Sequence, residues 1–165
     1  MEFKKQPFIP MLFGGDINTY SVARAFYEEY QVKTYVFGKF PSGPSYNSNI
    51  IEYHANLKID TDEVFMQTVR DFAAAHADKT VLTIGCGDSY VALCSRHKDE
   101  MPENVIAPYI DFELMDRLQQ KELFYRLCRE HDIDFPDTLV FRHGMDLDFE
   151  LPFSFPVILK PSNSV

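Results

Sequence analysis

Phe8-Ile9-Pro10-Met11-Leu12-Phe13-Gly14-Gly15-Asp16-Ile17-Asn18 is the stretch that decides the class of fold. A short apolar run stops at two glycines, and an acid and an amide follow where a helix would take its cap. The run reads as a buried strand, with Pro10 marking its start or an edge, because proline has no N–H to give to a ladder. Over residues 18–30, Val22, Ala23, Phe26, Tyr27 and Tyr30 recur at helical spacing, with Asp16 or Asn18 placed to cap the N-terminus. Residues 33–37 are β-rich and Gly38 follows them. The opening is therefore strand, glycine turn, helix, strand: a βαβ unit.

Further along, residues 49–53 suggest another short strand. Asp60 and Glu63 resemble a capping box for a helix whose apolar stripe is Phe65, Val69, Phe72 and Ala73. Val81-Leu82-Thr83-Ile84 is the continuous apolar run of a central parallel strand covered on both faces. Gly85-Cys86-Gly87-Asp88 then turns the chain into a helix running to about His97, and residues 104–107 offer one more short strand. This alternation predicts an α/β fold, an open and mostly parallel sheet flanked by helices. Near residue 111 the character changes. Helices are expected over 112–118 and 121–131, a strand over 138–141, a polar loop over 144–150 and a strand over 156–160. The expected domains are 1–111 and 112–165, the second being the start of another sheet that is cut short at Ser164-Val165.

Composition narrows the function classes. A chain of 165 residues with 45% hydrophobic content has enough material for one sizeable core. A net charge of -9 argues against nucleic-acid binding, which requires clustered Lys and Arg. The three cysteines, Cys86, Cys94 and Cys128, are sparse and lack CxxC spacing, as expected of reduced thiols in a cytoplasmic protein. No apolar run approaches the ~20 residues that span a bilayer.

Three features could carry chemistry. Gly14-Gly15-Asp16-Ile17-Asn18 and Gly85-Cys86-Gly87-Asp88-Ser89 each sit where a strand ends and a helix begins. Ligands of open α/β sheets bind there, since helix N-terminal amides favour anions and glycine admits close approach. The plain alternative is a pair of tight turns. The third feature is two lysines: Lys121 opens a helix, and Lys160 ends the apolar run Val157-Ile158-Leu159. Each either binds an anion such as a phosphate or lies on the surface. Cys86 lies near a helix N-terminus, which could lower its pKa, but no base partner is visible. The histidines show no metal-binding spacing.

Residues 120–138, from Gln120-Lys121-Glu122 to Phe135-Pro136-Asp137-Thr138, resemble the segment leading into an ATP-grasp domain. Phe155-Pro156-Val157-Ile158-Leu159-Lys160-Pro161 resembles the strand carrying that domain's second nucleotide-binding lysine. Phe8 to Asn18, Ala23-Arg24-Ala25-Phe26, Gly85 to Tyr90 and Pro108-Tyr109-Ile110-Asp111 are similar to the small Rossmann-like domain that precedes it in the D-aspartate ligases of bacterial cell-wall synthesis. The resemblance covers 8–165. It implies a carboxylate–amine ligase that forms an amide through an acyl phosphate, with ATP and Mg²⁺ as cofactors and peptidoglycan precursors as the product class. It further implies that Lys121 and Lys160 bind the nucleotide phosphates and that the two glycine loops line the substrate side. A homodimer is one expected assembly. The Mg²⁺ ligands, the glycine-rich lid and the adenine pocket are expected beyond Val165, and the 165 residues alone are expected to be inactive.

Two rivals stand beside this reading. Val81 to Asp88 resembles the S-adenosylmethionine loop of methyltransferases, although Ser89 occupies the place of that motif's third glycine. A non-catalytic binding or dimerisation module is the other.

Overall fold

The structure, a computed structural model, describes residues 2–146, 148 and 150–162. The expected end at Ser164-Val165 and part of the polar loop over 144–150 lie outside these residues. Two compact units divide the chain, Met1–Met115 and Asp116–Val165.

The first unit is built on five parallel strands, β1 (Phe8–Phe13), β2 (Thr34–Gly38), β3 (Ile51–Ala55), β4 (Thr80–Gly85) and β5 (Val105–Ile106), in the spatial order β3-β2-β1-β4-β5. Helix α1 (Ile17–Tyr30) follows β1, the short α2 (Gly43–Tyr46) precedes β3, α3 (Asp62–Ala75) precedes β4, and α4 (Asp88–Arg96) follows it. Strand alternation sorts the core into two layers. Ile9, Met11, Phe13, Phe37 and Val81 face Phe65, Met66, Val69 and Phe72 of α3 and Leu93 and Cys94 of α4. Leu12 and Val36 face the other way, toward Ala23, Phe26 and Tyr27 of α1. The connections β1-α1-β2 and β4-α4-β5 run outward in opposite directions, and α1 and α4 consequently lie on opposite faces.

Two local expectations are corrected. Pro10 is neither at a strand start nor at an edge; it is fully buried inside β1, the middle strand. The Phe13 carbonyl accepts from Cys86 while the Gly14 N–H donates to Phe37, so even-numbered residues of β1 point their amides toward β2. Pairing with β2 begins only at Met11, whereas pairing with β4 runs the full length of β1. The missing N–H thus falls on the side where the ladder has not yet begun. The capping box at Asp60 and Glu63 does not form either. Thr61 is the N-cap of α3 and makes no side-chain cap bond, and Asp60 instead pairs with Lys39 at 2.7 Å.

Helix α5 (Phe112–Gln119) crosses into the second unit, where α6 (Lys121–Glu130) buries Cys128. The strands expected over 138–141 and 156–160 are absent from the described residues. Ile158 and Leu159 are 81% and 95% exposed. A β conformation is held by a paired ladder and a covered face, and among the described residues these apolar runs have neither.

Candidate functional site

Strand order reverses between β1 and β4: the chain moves one way from β1 through β2 to β3, then crosses back to place β4 on the other side of β1. At such a switch point, two strand ends send their following helices to opposite faces, and a crevice opens between them. Gly14, Gly15, Asp16, Cys86, Gly87 and Ser89 line a cleft of 440 Å³ here. Lys39, Phe40, Ser42 and Gly43 from the end of β2, with the Tyr53 and Tyr90 rings, complete its wall.

The floor is rigidly tied. The Cys86 N–H donates to the Phe13 carbonyl at 2.8 Å, and the Gly14 N–H donates to the Phe37 carbonyl at 2.9 Å. Asp16 is the N-cap of α1, its Oδ1 accepting from the backbone N–H and the hydroxyl of Thr19, both at 3.0 Å. Asn18 donates its side-chain amide to Asp16 Oδ2 at 3.1 Å. The acid is therefore engaged in organising the loop. Gly14 sits at φ +144°, and a side chain there would run into the Thr19 hydroxyl; the loop geometry requires glycine.

Of the loop residues singled out from sequence, Gly14, Gly15, Asp16 and Gly87 line the cleft. Asn18, Gly85 and Asp88 stand outside the lining. Gly85 lies at the end of β4, with its N–H donating to the Tyr109 hydroxyl at 2.7 Å, and Asp88 occupies the first turn of α4. Lys39, Ser42 and Tyr53 were not picked out from sequence, and Tyr90 entered only as the last residue of the stretch Gly85 to Tyr90. Lys39 and Ser42 follow β2, whose terminal glycine offered the local signal. Tyr53 donates its hydroxyl to the Phe40 carbonyl at 2.8 Å, fixing the loop after β2 over the cleft.

Electrostatically the cleft has one cationic side chain among its lining residues, Lys39, whose ammonium meets Asp60. Burial pushes the Tyr90 phenol up to about 12, with the Asp60 carboxylate acting in the same direction. Burial likewise raises Tyr53. These tyrosines stay protonated and act as hydrogen-bonding and packing groups, not as bases.

Cys86 corrects the expectation of a lowered thiol pKa. Burial pushes it up to about 11, outweighing the hydrogen bond with Thr19, which acts the other way. Because the folded-state value lies above the ordinary thiol value of 9.0, the stability that goes with the protonated thiol is complete below about 9 and is lost as pH rises toward 11. The thiol of the native chain is expected to resist iodoacetamide at pH 8 and to react readily in denaturant. Alkylation followed by intact mass checks this, and rapid native labelling at Cys86 would contradict it.

In the second unit, the Lys121 N–H donates to the Ser162 carbonyl at 3.1 Å, so the segment just after Lys160 passes the N-terminus of α6. Lys160 itself is exposed. A hollow of 180 Å³ in this unit is lined by Glu122, Tyr125, Arg126, Arg129, Phe135, Thr138 and Val140, and includes neither lysine. Among the described residues, no group of three or more His, Cys, Asp and Glu side chains is gathered for a metal ion. No helix among them is long and apolar enough to cross a membrane.

The fold is similar to that of the L-amino acid ligase from Bacillus licheniformis. Its crystal structure superposes with a TM-score of 0.52 over 81% of this chain and 32% of that one, at 15% identity. That likeness is one of fold: a parallel five-stranded sheet flanked by helices. In sequence, the chain is 41% identical, over 98% of its length, to the D-aspartate ligase of Enterococcus faecium (strain Aus0004). The match is to the N-terminal part of that enzyme, and the chain spans 40% of its length. No protein-family profile matches the chain.

Proposed function

We propose that this chain is the N-terminal portion of a cytoplasmic ATP-dependent carboxylate–amine ligase acting on an acidic amino acid such as D-aspartate, in peptidoglycan precursor synthesis. The observation that carries this reading is the 41% identity to a D-aspartate ligase along nearly the entire chain. The convergence of both glycine loops in one cleft adds physical support. In this reading the first unit supplies the substrate side: backbone at Gly14, Gly15 and Gly87 admits a ligand closely, and the Ser42 and Ser89 hydroxyls are available to orient it. Lys121 and Lys160 hold nucleotide phosphates, and ATP supplies the activation of the carboxylate as an acyl phosphate that an amine then displaces. Residues that bind Mg²⁺ belong to the remainder of the ligase, and the 165 residues by themselves turn over no substrate.

The test uses the ligase that carries this chain at its N-terminus. Lys121→Ala and Lys160→Ala should each lower kcat/KM for ATP by about 10²-fold, read as phosphate release with D-aspartate and an amine acceptor present. Unchanged kinetics in both variants would overturn the assignment.

A further inference from the structure

We infer that Lys39 is the anion anchor of the switch-point cleft, and that the side chain of Asp60 is a stand-in which the ligand's own carboxylate or phosphate displaces. The inference deepens the proposed reading of this cleft as the substrate side of a ligase, and rests on it.

Three observations lead there. Lys39 is the single cation among the residues lining the 440 Å³ cleft, whose other polar surface consists of the Asp16 carboxylate, two serine hydroxyls, two phenols and loop backbone. The carboxylate of Asp16 is already engaged by Thr19 and Asn18, leaving Lys39 as the charged group able to select a ligand. Second, Lys39 is not spent in a buried structural pair. Its ammonium lies 2.7 Å from Asp60, with the two side chains 38% and 30% exposed. A pair this accessible to water contributes little to stability and exchanges partners readily. Third, the position is well held. Gly38 precedes Lys39 at the end of β2, where a Cβ would run into the Gly14 carbonyl and the Tyr53 hydroxyl. The Tyr53 hydroxyl also bonds the carbonyl of Phe40, the next residue after Lys39. The backbone carrying the ammonium is thereby clamped on both sides while the side chain remains free to swing from Asp60 to a bound oxyanion. That is the pre-organisation an anchoring charge requires.

The ligand class is a small molecule with a carboxylate or phosphate beyond its reacting group. An acidic amino acid carries a second carboxylate for Lys39, and an amino acid with an uncharged side chain does not. A salt bridge of purely structural purpose would behave differently from an anchor, because removing either partner would then loosen the same loop.

Calorimetric titration of the chain with D-aspartate, with D-alanine and with inorganic phosphate separates the cases. For Lys39→Met, binding of the anchored anion should weaken about tenfold or more, as befits the loss of a charge-assisted hydrogen bond, while Lys39→Arg restores most of it. Asp60→Asn should tighten the same anion several-fold, because the ammonium no longer has a competitor. Loss confined to D-aspartate assigns the carboxylate of an acidic substrate, and loss confined to phosphate assigns a phosphoryl group. Weakening by both Lys39→Met and Asp60→Asn, or by neither, overturns the inference and leaves the cleft reading intact. Failure of the unmodified chain to bind D-aspartate or phosphate removes the cleft reading and the inference together. Circular dichroism of each variant confirms that the fold is retained.

Discussion

Phe13→Ala should lower the stability of the chain by roughly 3–5 kcal/mol, the range for removing a fully buried aromatic ring. Phe13 is 0% exposed at the end of the middle strand. Its ring centroid lies 4.6 Å from that of Phe65, 5.7 Å from Phe37 and 6.1 Å from Tyr90. Those partners come from α3, β2 and α4, so no single element can shift to fill the space without disturbing the other two. Domains of this size are stable by about 5–15 kcal/mol, and a loss of this order leaves a large unfolded fraction. Urea denaturation followed by circular dichroism measures it as a lower midpoint. Phe40→Ala is the control. Phe40 is 56% exposed, and its loss should stay within about 0.5 kcal/mol. Equal effects from the two substitutions would contradict the core assignment. Because Tyr90 lines the cleft and touches Phe13, the Phe13→Ala protein should also bind cleft ligands more weakly even where it remains folded.

Gly85→Ala should cost about 3 kcal/mol, at the upper end of what overpacking does. An added Cβ would lie 2.6 Å from the Tyr90 carbonyl carbon and 2.6 Å from the Val91 nitrogen. Both atoms belong to the backbone of α4, which cannot step aside as a side chain would. The same strand end holds the Gly85 N–H against the Tyr109 hydroxyl, so the strain would spread to the chain leaving β5. Gly87→Ser serves as the comparison. Gly87 is the N-cap of α4 with an extended φ of -162°, and the nearest atom to an added Cβ is 3.9 Å away. Serine is a preferred N-cap, so this variant should be near neutral. Thermal melts of the two variants should differ by many degrees. Matching melts would mean that α4 does not close against β4 as described.

Both glycines had looked alike in the sequence, and the difference between them shows where reading a sequence stops. A residue's type and its neighbours in the chain report backbone preference; they do not report what lies across space. The run 8–13, the helical spacing that follows and the run 81–84 were legible as β1, α1 and β4, because burial on one face or two imposes a period on a single stretch of chain. Asp16 was legible as a cap for the same local reason, with its partner Thr19 only three residues on. Pro10 misled because tolerance of a missing N–H depends on which neighbouring strand has begun to pair, and β2 is distant in sequence. Asp60 misled because a lysine twenty-one residues earlier captured the carboxylate that a capping box needed. The apolar runs near 138–141 and 156–160 carried strand propensity, but propensity supplies no partner.

The sequence by itself determined the parallel α/β class, the two strand-to-helix glycine turns and the likeness to a D-aspartate ligase, since each is written in contiguous or periodic residues. Only the tertiary structure decided that those turns share one cleft, that Lys39, Tyr53 and Tyr90 complete it, and that the Cys86 thiol is held protonated by burial. Strand order, pairing register and desolvation arise when segments far apart in the chain pack together, and no local pattern encodes them.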